Sequence, residues 1–180
     1  MSNKKNKYTV SVYTEDSVGL LNRISAIFQK RHINIESFNS SMTEIENVQR
    51  WTILVLTSES LIEKIVGQIN KQIEVIKAYY HTDEETIYQE SCLFKIKSSL
   101  LFDDRQIQNI IKESNAIIVT VTPEFFVIEK SGRTQELDKL YKKLNDYGIL
   151  QYVRSARIAV TKSPLMISDI LTNFKKNKDE

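Results

Sequence analysis

"EDSVGLLNRISAIFQKRHINIES", residues 15–37, runs from an acidic turn through an apolar stripe into a strand-like segment. Leu20, Leu21, Ile24, Ile27 and Phe28 recur at helical spacing, so residues 19–31 are expected to form an amphipathic helix. Just upstream, "YTVSVYT" (8–14) alternates, with Tyr8, Val10 and Val12 on one face, as a half-buried strand does. Downstream, "INIESFNSSMT" (33–43) and "VQRWTILVLT" (48–57) read as two strands joined by the polar "EIEN" as a hairpin. Ser60 is placed to cap a second helix, on which Leu61, Ile65, Ile69 and Ile73 keep the stripe. "VIKAYYH" (75–81) closes the order βαββαβ.

The same order returns after a polar, acidic run, "TDEETIYQE" (82–90), which reads as a linker. "CLFKIKSS" (92–99) is a strand, and Asp103-Asp104 precede a helix carrying Ile107, Ile110 and Ile111. "AIIVTVT" (116–122) and "FFVIEK" (125–130) are strands joined around Pro123. Ser131-Gly132 leads to a helix striped by Leu137, Leu140, Tyr141 and Leu144, with Gly148 suited to its C-terminal cap. "QYVRSARIAV" (151–160) is the last strand. The fold class expected is α+β, with two ferredoxin-like units. Their bounds are 1–81 and 91–163, with 82–90 between them and 164–180 as a polar tail. Units of this size bury a modest share of their surface, and each open sheet face carries apolar residues, so packing against another unit or chain is expected.

Composition narrows the function classes. The 180 residues are 41% hydrophobic and 27% charged, with a net charge of +2, too balanced for a dedicated nucleic-acid or membrane-surface protein. Basic clusters at Asn3–Lys7 and Lys175–Lys178 read as solvated tails. One cysteine, Cys92, excludes an intramolecular disulfide and reads as a small buried residue. A catalytic thiol would have only His32 or His81 as imidazole partner. The N-terminus lacks a signal-peptide core, and "WTILVL" is too short to span a bilayer, so a cytoplasmic protein is expected. Neither a phosphate loop, a metal-ligand cluster nor a nucleophile–base constellation is visible, which argues against an enzyme. An RNA-recognition module shares this topology, but Phe125 and Phe126 are adjacent and point to opposite faces, and Trp51, Tyr79 and Tyr80 suit core packing.

The opening stretch has a chemistry of its own. The first amides of a helix lack internal partners and sit at the positive end of its dipole, so they can bind a carboxylate. Gly19 lets a small ligand approach the main chain closely. Asp16 or Ser17 could instead cap the helix, and Asn34 could be a turn residue bonding its own backbone. In this topology the strand after Asn34 is a sheet edge. Two copies meeting there would juxtapose the Asp16–Leu20 turn of one with Asn34 of the other. Such a cleft offers amides for a carboxylate, Asp16 or Asn34 for an ammonium, and Ile33 or Ile35 for an aliphatic side chain.

Several runs together resemble one family. "GLLNRISAIFQKRHINIESF", "RWTILV", "QINKQIEVIKA", "ESCLFKIK", "VTVTPEFFVIEKSG", "LDKLYKKL" and "YGILQYVRSARIAV" occur in the order and spacing of acetolactate synthase (acetohydroxyacid synthase) small, regulatory subunits, over about residues 8–162. The resemblance implies an N-terminal ACT domain, a C-terminal ferredoxin-like domain and a homodimer with no cofactor of its own. It implies a branched-chain amino acid, usually valine, as effector between two ACT domains. It also implies a large catalytic subunit as partner, which carries thiamine diphosphate, magnesium and FAD and is activated and made feedback-sensitive in valine, leucine and isoleucine synthesis. The effector residues it implies are Asp16, Val18, Gly19, Leu20, Leu21, Asn34 and Ile35. Two positions depart from the family: position 16 is Asp where a neutral polar residue is common, and "RSAR" (154–157) keeps Arg154 but has Ala156 in place of glycine. A tandem ACT-type sensor acting on transcription or on another enzyme is the alternative. For docking a partner, residues 43–50, with Glu44, Glu46 and Arg50 read as exposed, are the candidate surface.

Overall fold

The computed structural model describes residues 5–103, 105–164, 166–168 and 170–171. Asn3, Lys4, Asp104 and the lysines at 175, 176 and 178 lie outside the described residues, and the expectations about them with them. The chain divides into two compact units, residues 1–88 with 157–180, and residues 89–156.

In the first unit β1 (Asn6–Glu15), α1 (Leu20–Gln29), β2 (Ile35–Met42), β3 (Val48–Thr57), α2 (Glu59–Ile69) and β4 (Val75–Thr82) give the expected βαββαβ order. The antiparallel sheet has the strand order β2-β3-β1-β4, so β2 and β4 are its edges. Both helices lie on one face. Their stripes (Leu20, Ile24, Ile27, Phe28; Ile62, Ile65, Val66, Ile69) meet Val10, Val12, Trp51, Ile53 and Val55 in one core. Helix α2 starts two residues earlier than the spacing implied, after Ser58 rather than Ser60, and ends at Ile69. Ile73 therefore falls beyond the stripe and is exposed.

The second unit repeats the order with β5 (Thr86–Lys97), α3 (Ser98–Asp103), α4 (Arg105–Ser114), β6 (Ile117–Val121), β7 (Phe125–Gly132), α5 (Thr134–Asn145) and β8 (Gln151–Arg154). Its sheet runs β6-β7-β5-β8, the strand order of the first. Cys92, Phe94, Ile96, Phe126 and Ile128 pack under Ile107, Ile111, Leu137, Leu140 and Leu144. Phe126 is buried, whereas Phe125 lies beneath the Lys95 ammonium, 4.0 Å from the ring centroid.

Several boundaries differ from the sequence expectation. The supposed linker is a tight turn: the Thr82 amide and hydroxyl donate to Glu85 Oε2 at 2.8 and 2.9 Å, and Thr86 Oγ1 donates to the Thr82 carbonyl at 2.7 Å. Strand β5 already begins at Thr86, so acidic composition here marks a turn and not a spacer. Gly148 has φ +77 but lies past the cap residue of α5, Asp146. The last strand is two, β8 and β9 (Ile158–Thr161), broken at Ser155–Arg157, and β9 pairs with β5.

Arg157, only 1% exposed, explains part of that break. Its guanidinium donates to Asp83 Oδ1 at 2.5 Å and to Thr9 Oγ1 at 3.0 Å, and stacks 3.5 Å from the Tyr88 ring centroid. A buried guanidinium needs such partners because desolvation is otherwise prohibitive. Beyond it, the segment expected to be a polar tail carries Ile167 and Leu171, helical residues packed against Tyr13, Val48, Ile45, Ile76 and Tyr79 on the sheet face away from α1 and α2. Leu171 is completely buried. Part of the open face thus finds its cover within the same unit.

Candidate functional site

Strand β1 delivers Asp16 to the end of the sheet, where the Asp16 amide donates to the Asn47 carbonyl at 3.0 Å. The chain then turns through Ser17 and Val18 into Gly19, which holds φ +84 at the N-cap of α1. That left-handed conformation suits glycine, and a Cβ there would meet nothing within 4 Å. No side chain caps α1, and its first turn carries no acidic residue. The capping alternative for Asp16 and Ser17 is therefore not realised. Asp16 instead accepts a hydrogen bond from Gln49 Nε2 at 2.7 Å.

The apolar residues of the turn divide. Leu20 is fully buried, main chain included, and its amide donates to the Ser17 carbonyl at 3.4 Å, whereas Val18 is wholly exposed and Leu21 half-exposed. Two unsupported aliphatic side chains therefore flank uncapped amides.

Asn34 and Ile35 lie at the other end of α1. The helix closes with a Schellman arrangement: the Ile33 amide donates to the Phe28 carbonyl at 3.1 Å and the His32 amide to the Gln29 carbonyl at 2.9 Å. His32 takes the left-handed position, φ +54. Asn115, φ +52, does the same after α4 in the second unit, so His32 has a structural reason to be where it is. Asn34 then stands exposed just before edge strand β2, in an open depression of about 500 Å³ walled by Phe28, Ile33 and Ile35. The ten residues of α1 separate Asn34 from the Asp16–Gly19 turn, roughly 15 Å along the axis. Within one chain the seven expected residues fall into two separate groups, not one.

Gln49, which the sequence reading passed over, bridges inward. Its Oε1 accepts from Trp51 Nε1 at 2.9 Å and from Ser40 Oγ at 3.2 Å. Arg50, expected to be exposed, is half-buried, donates to the Ala159 carbonyl and lies over Tyr13. Glu44 and Glu46 keep their expected exposure. The Cys92 thiol is buried, donates to the Lys130 carbonyl at 3.3 Å, and burial pushes its pKa up to about 11. Among the described residues no helix is long and apolar enough to cross a membrane.

Tandem βαββαβ units, the first opening on a glycine-led and uncapped helix, define an ACT-type two-unit α+β protein. Residues 10–77 match the AHAS small subunit-like ACT domain, and residues 89–163 match the model for the small subunit of acetolactate synthase. The chain is 33% identical to the acetolactate synthase small subunit of Mycolicibacterium smegmatis, over 91% of this chain and 96% of that protein. It therefore belongs to the acetolactate synthase small-subunit family. The Bacillus subtilis small subunit is 32% identical over 85% of this chain and 89% of its own. The crystal structure of the small subunit from Thermotoga maritima shares the fold, with a TM-score of 0.79 at 22% identity, covering 89% of this chain and 99% of that one.

Proposed function

We propose that this chain forms a homodimer through β2 and binds a branched-chain amino acid, valine first, at two sites shared between first units. The observation that carries the reading is the separation of the half-sites along α1, on a sheet whose β2 edge is unpaired. Antiparallel pairing of β2 with its copy, about a two-fold near Phe38–Asn39, runs the Ile35 end of one strand beside the Met42 end of the other. Gln49 pairs with Met42 across β2 and β3 and with Thr14 across β1 and β3, so the Met42 end is the Asp16 end. Asn34 and Ile35 of each copy then approach the Asp16–Leu21 turn of the other. Uncapped amides at Gly19 and Leu21 meet the ligand carboxylate, Asp16 and Asn34 meet its ammonium, and Val18, Leu21, Ile33 and Ile35 enclose its side chain.

The partner is the thiamine-diphosphate-dependent large subunit of acetolactate synthase, which the chain activates without itself being catalytic. Effector binding stiffens or re-angles the paired sheets and imposes feedback inhibition on that subunit. A ligand shifts such an equilibrium only by its differential affinity for the two states, and coupling of about 1–3 kcal/mol suffices. Calorimetric titration of the purified chain with valine, leucine and isoleucine, with sedimentation in parallel, tests the site. Acetolactate formation by the large subunit with and without the chain and effector tests the role. A monomer that binds none of the three would sink the proposal.

A further inference from the structure

Position 16 carries a full negative charge beside amides proposed to receive a carboxylate, so what orients that charge decides what the site accepts. Gln49 does the orienting, and its own direction is not free. An indole N–H can only donate, so the group 2.9 Å from Trp51 Nε1 must be the Gln49 carbonyl oxygen. The Ser40 hydroxyl adds a second donor to that oxygen. The Gln49 NH₂ is thereby committed to the opposite side, where it donates to Asp16 Oδ1 at 2.7 Å. Trp51 is 4% exposed and packed edge-on to Phe38, so the base of this relay is rigid. Among the described residues Oδ2 of Asp16 accepts no hydrogen bond. The carboxylate of this exposed residue is left with one oxygen occupied by an amide and one available to a ligand.

We propose that Gln49 is a positioning residue of the effector site: through the Trp51–Gln49–Asp16 relay it presents one carboxylate oxygen as an ammonium acceptor. This selects 2-amino acids over the 2-oxo and 2-hydroxy acids of the same side chain. The inference rests on the effector reading above and deepens it. Without an ammonium, a branched-chain 2-oxo acid brings only a carboxylate toward Asp16, where like charges repel. With it, the ligand is a zwitterion matched to amides on one side and an oriented carboxylate on the other, and charge-assisted hydrogen bonds are the strong ones.

The test titrates the full-length chain and its Gln49→Leu and Asp16→Asn variants with L-valine, L-leucine, L-isoleucine and the 2-oxo acid of valine. Trp51 fluorescence checks folding, and Gln49→Glu, which keeps the shape but opposes Asp16, gives a second variant. The expected result is binding of at least one amino acid by the parent chain, weakened about tenfold or more in Gln49→Leu. The already weak oxo-acid affinity stays unchanged, so the selectivity ratio falls. In the Asp16→Asn background the Gln49→Leu change costs little, because the residues act in series. Equal loss of both ligand classes, or unchanged amino-acid affinity in folded Gln49 variants, overturns the inference while leaving the effector reading intact. A parent chain that binds no amino acid overturns both.

Discussion

Arg157 offers a sharp quantitative test, because the two halves of its ion pair are buried unequally. The Arg157 side chain is 2% exposed and that of Asp83 is 36% exposed. Truncating Asp83 to Ala strands a guanidinium with the Thr9 hydroxyl and the Tyr88 ring as remaining partners. Orphaning a buried charge costs about 3–5 kcal/mol, and the residual contacts place this case near 3. Arg157→Met removes the charge but keeps an apolar stem, and the carboxylate left behind can hydrate, so its cost falls to about 1–2 kcal/mol. Among the described residues Nε of Arg157 has no hydrogen-bond partner, which lowers that figure further. The assay is urea unfolding followed by Trp51, the sole tryptophan, which reports on the same unit. With a slope near 1.5 kcal/mol/M, the midpoint drops by about 2 M in Asp83→Ala and by about 1 M in Arg157→Met. The double variant should be no less stable than Asp83→Ala alone. Should Arg157→Met prove the more damaging change, the argument from unequal burial fails.

The remaining predictions are simpler. Gly19→Asp should abolish amino-acid binding in calorimetry, by setting an anion against the ligand carboxylate, while folding persists; unchanged valine affinity would refute the turn as the carboxylate site. Leu171→Ala should cost about 2–3 kcal/mol in the same urea assay, because it empties a fully buried position over Tyr13 and Val48; a neutral result would show that the C-terminal segment does not cover that face. Asn39→Lys should shift sedimentation toward monomer by placing like charges across the proposed two-fold. The Glu74 carboxyl is held below its ordinary value by the Arg23 guanidinium, and that of Glu85 by the Thr82 amide and hydroxyl. Folded pKa values below the unfolded ones add stability that is complete above the ordinary carboxylate range and is lost as pH falls through the native values. The Trp51 midpoint should therefore hold above about pH 5 and drop below pH 4, whereas a midpoint that rises on acidification would contradict both contacts. The Cys92 thiol, pushed up to about 11, should react with iodoacetamide at pH 8 roughly a hundredfold slower in the folded chain than in urea.

Much of this protein is legible in its chain because it rests on local period and burial. The stripe from Leu20 to Phe28, the alternation in Tyr8–Val12 and their recurrence after residue 90 specify two βαββαβ units. Each pattern forces one face inward, and few topologies bury all of them. The family runs are equally local. What the chain could not declare depends on partners distant in sequence. Residues 82–90 read as a spacer because a turn and a strand start share their polar composition; only the Thr82–Glu85 contacts tell them apart. The C-terminal segment read as polar because two apolar side chains, Ile167 and Leu171, decide its role, and their partners, from Tyr13 to Tyr79, lie far earlier in the chain. Asp16 looked like a helix cap until Gln49, 33 positions on, was brought beside it. Period determines which residues face inward; only the folded chain determines which distant polar groups meet, because a hydrogen bond needs its two atoms within about 3 Å.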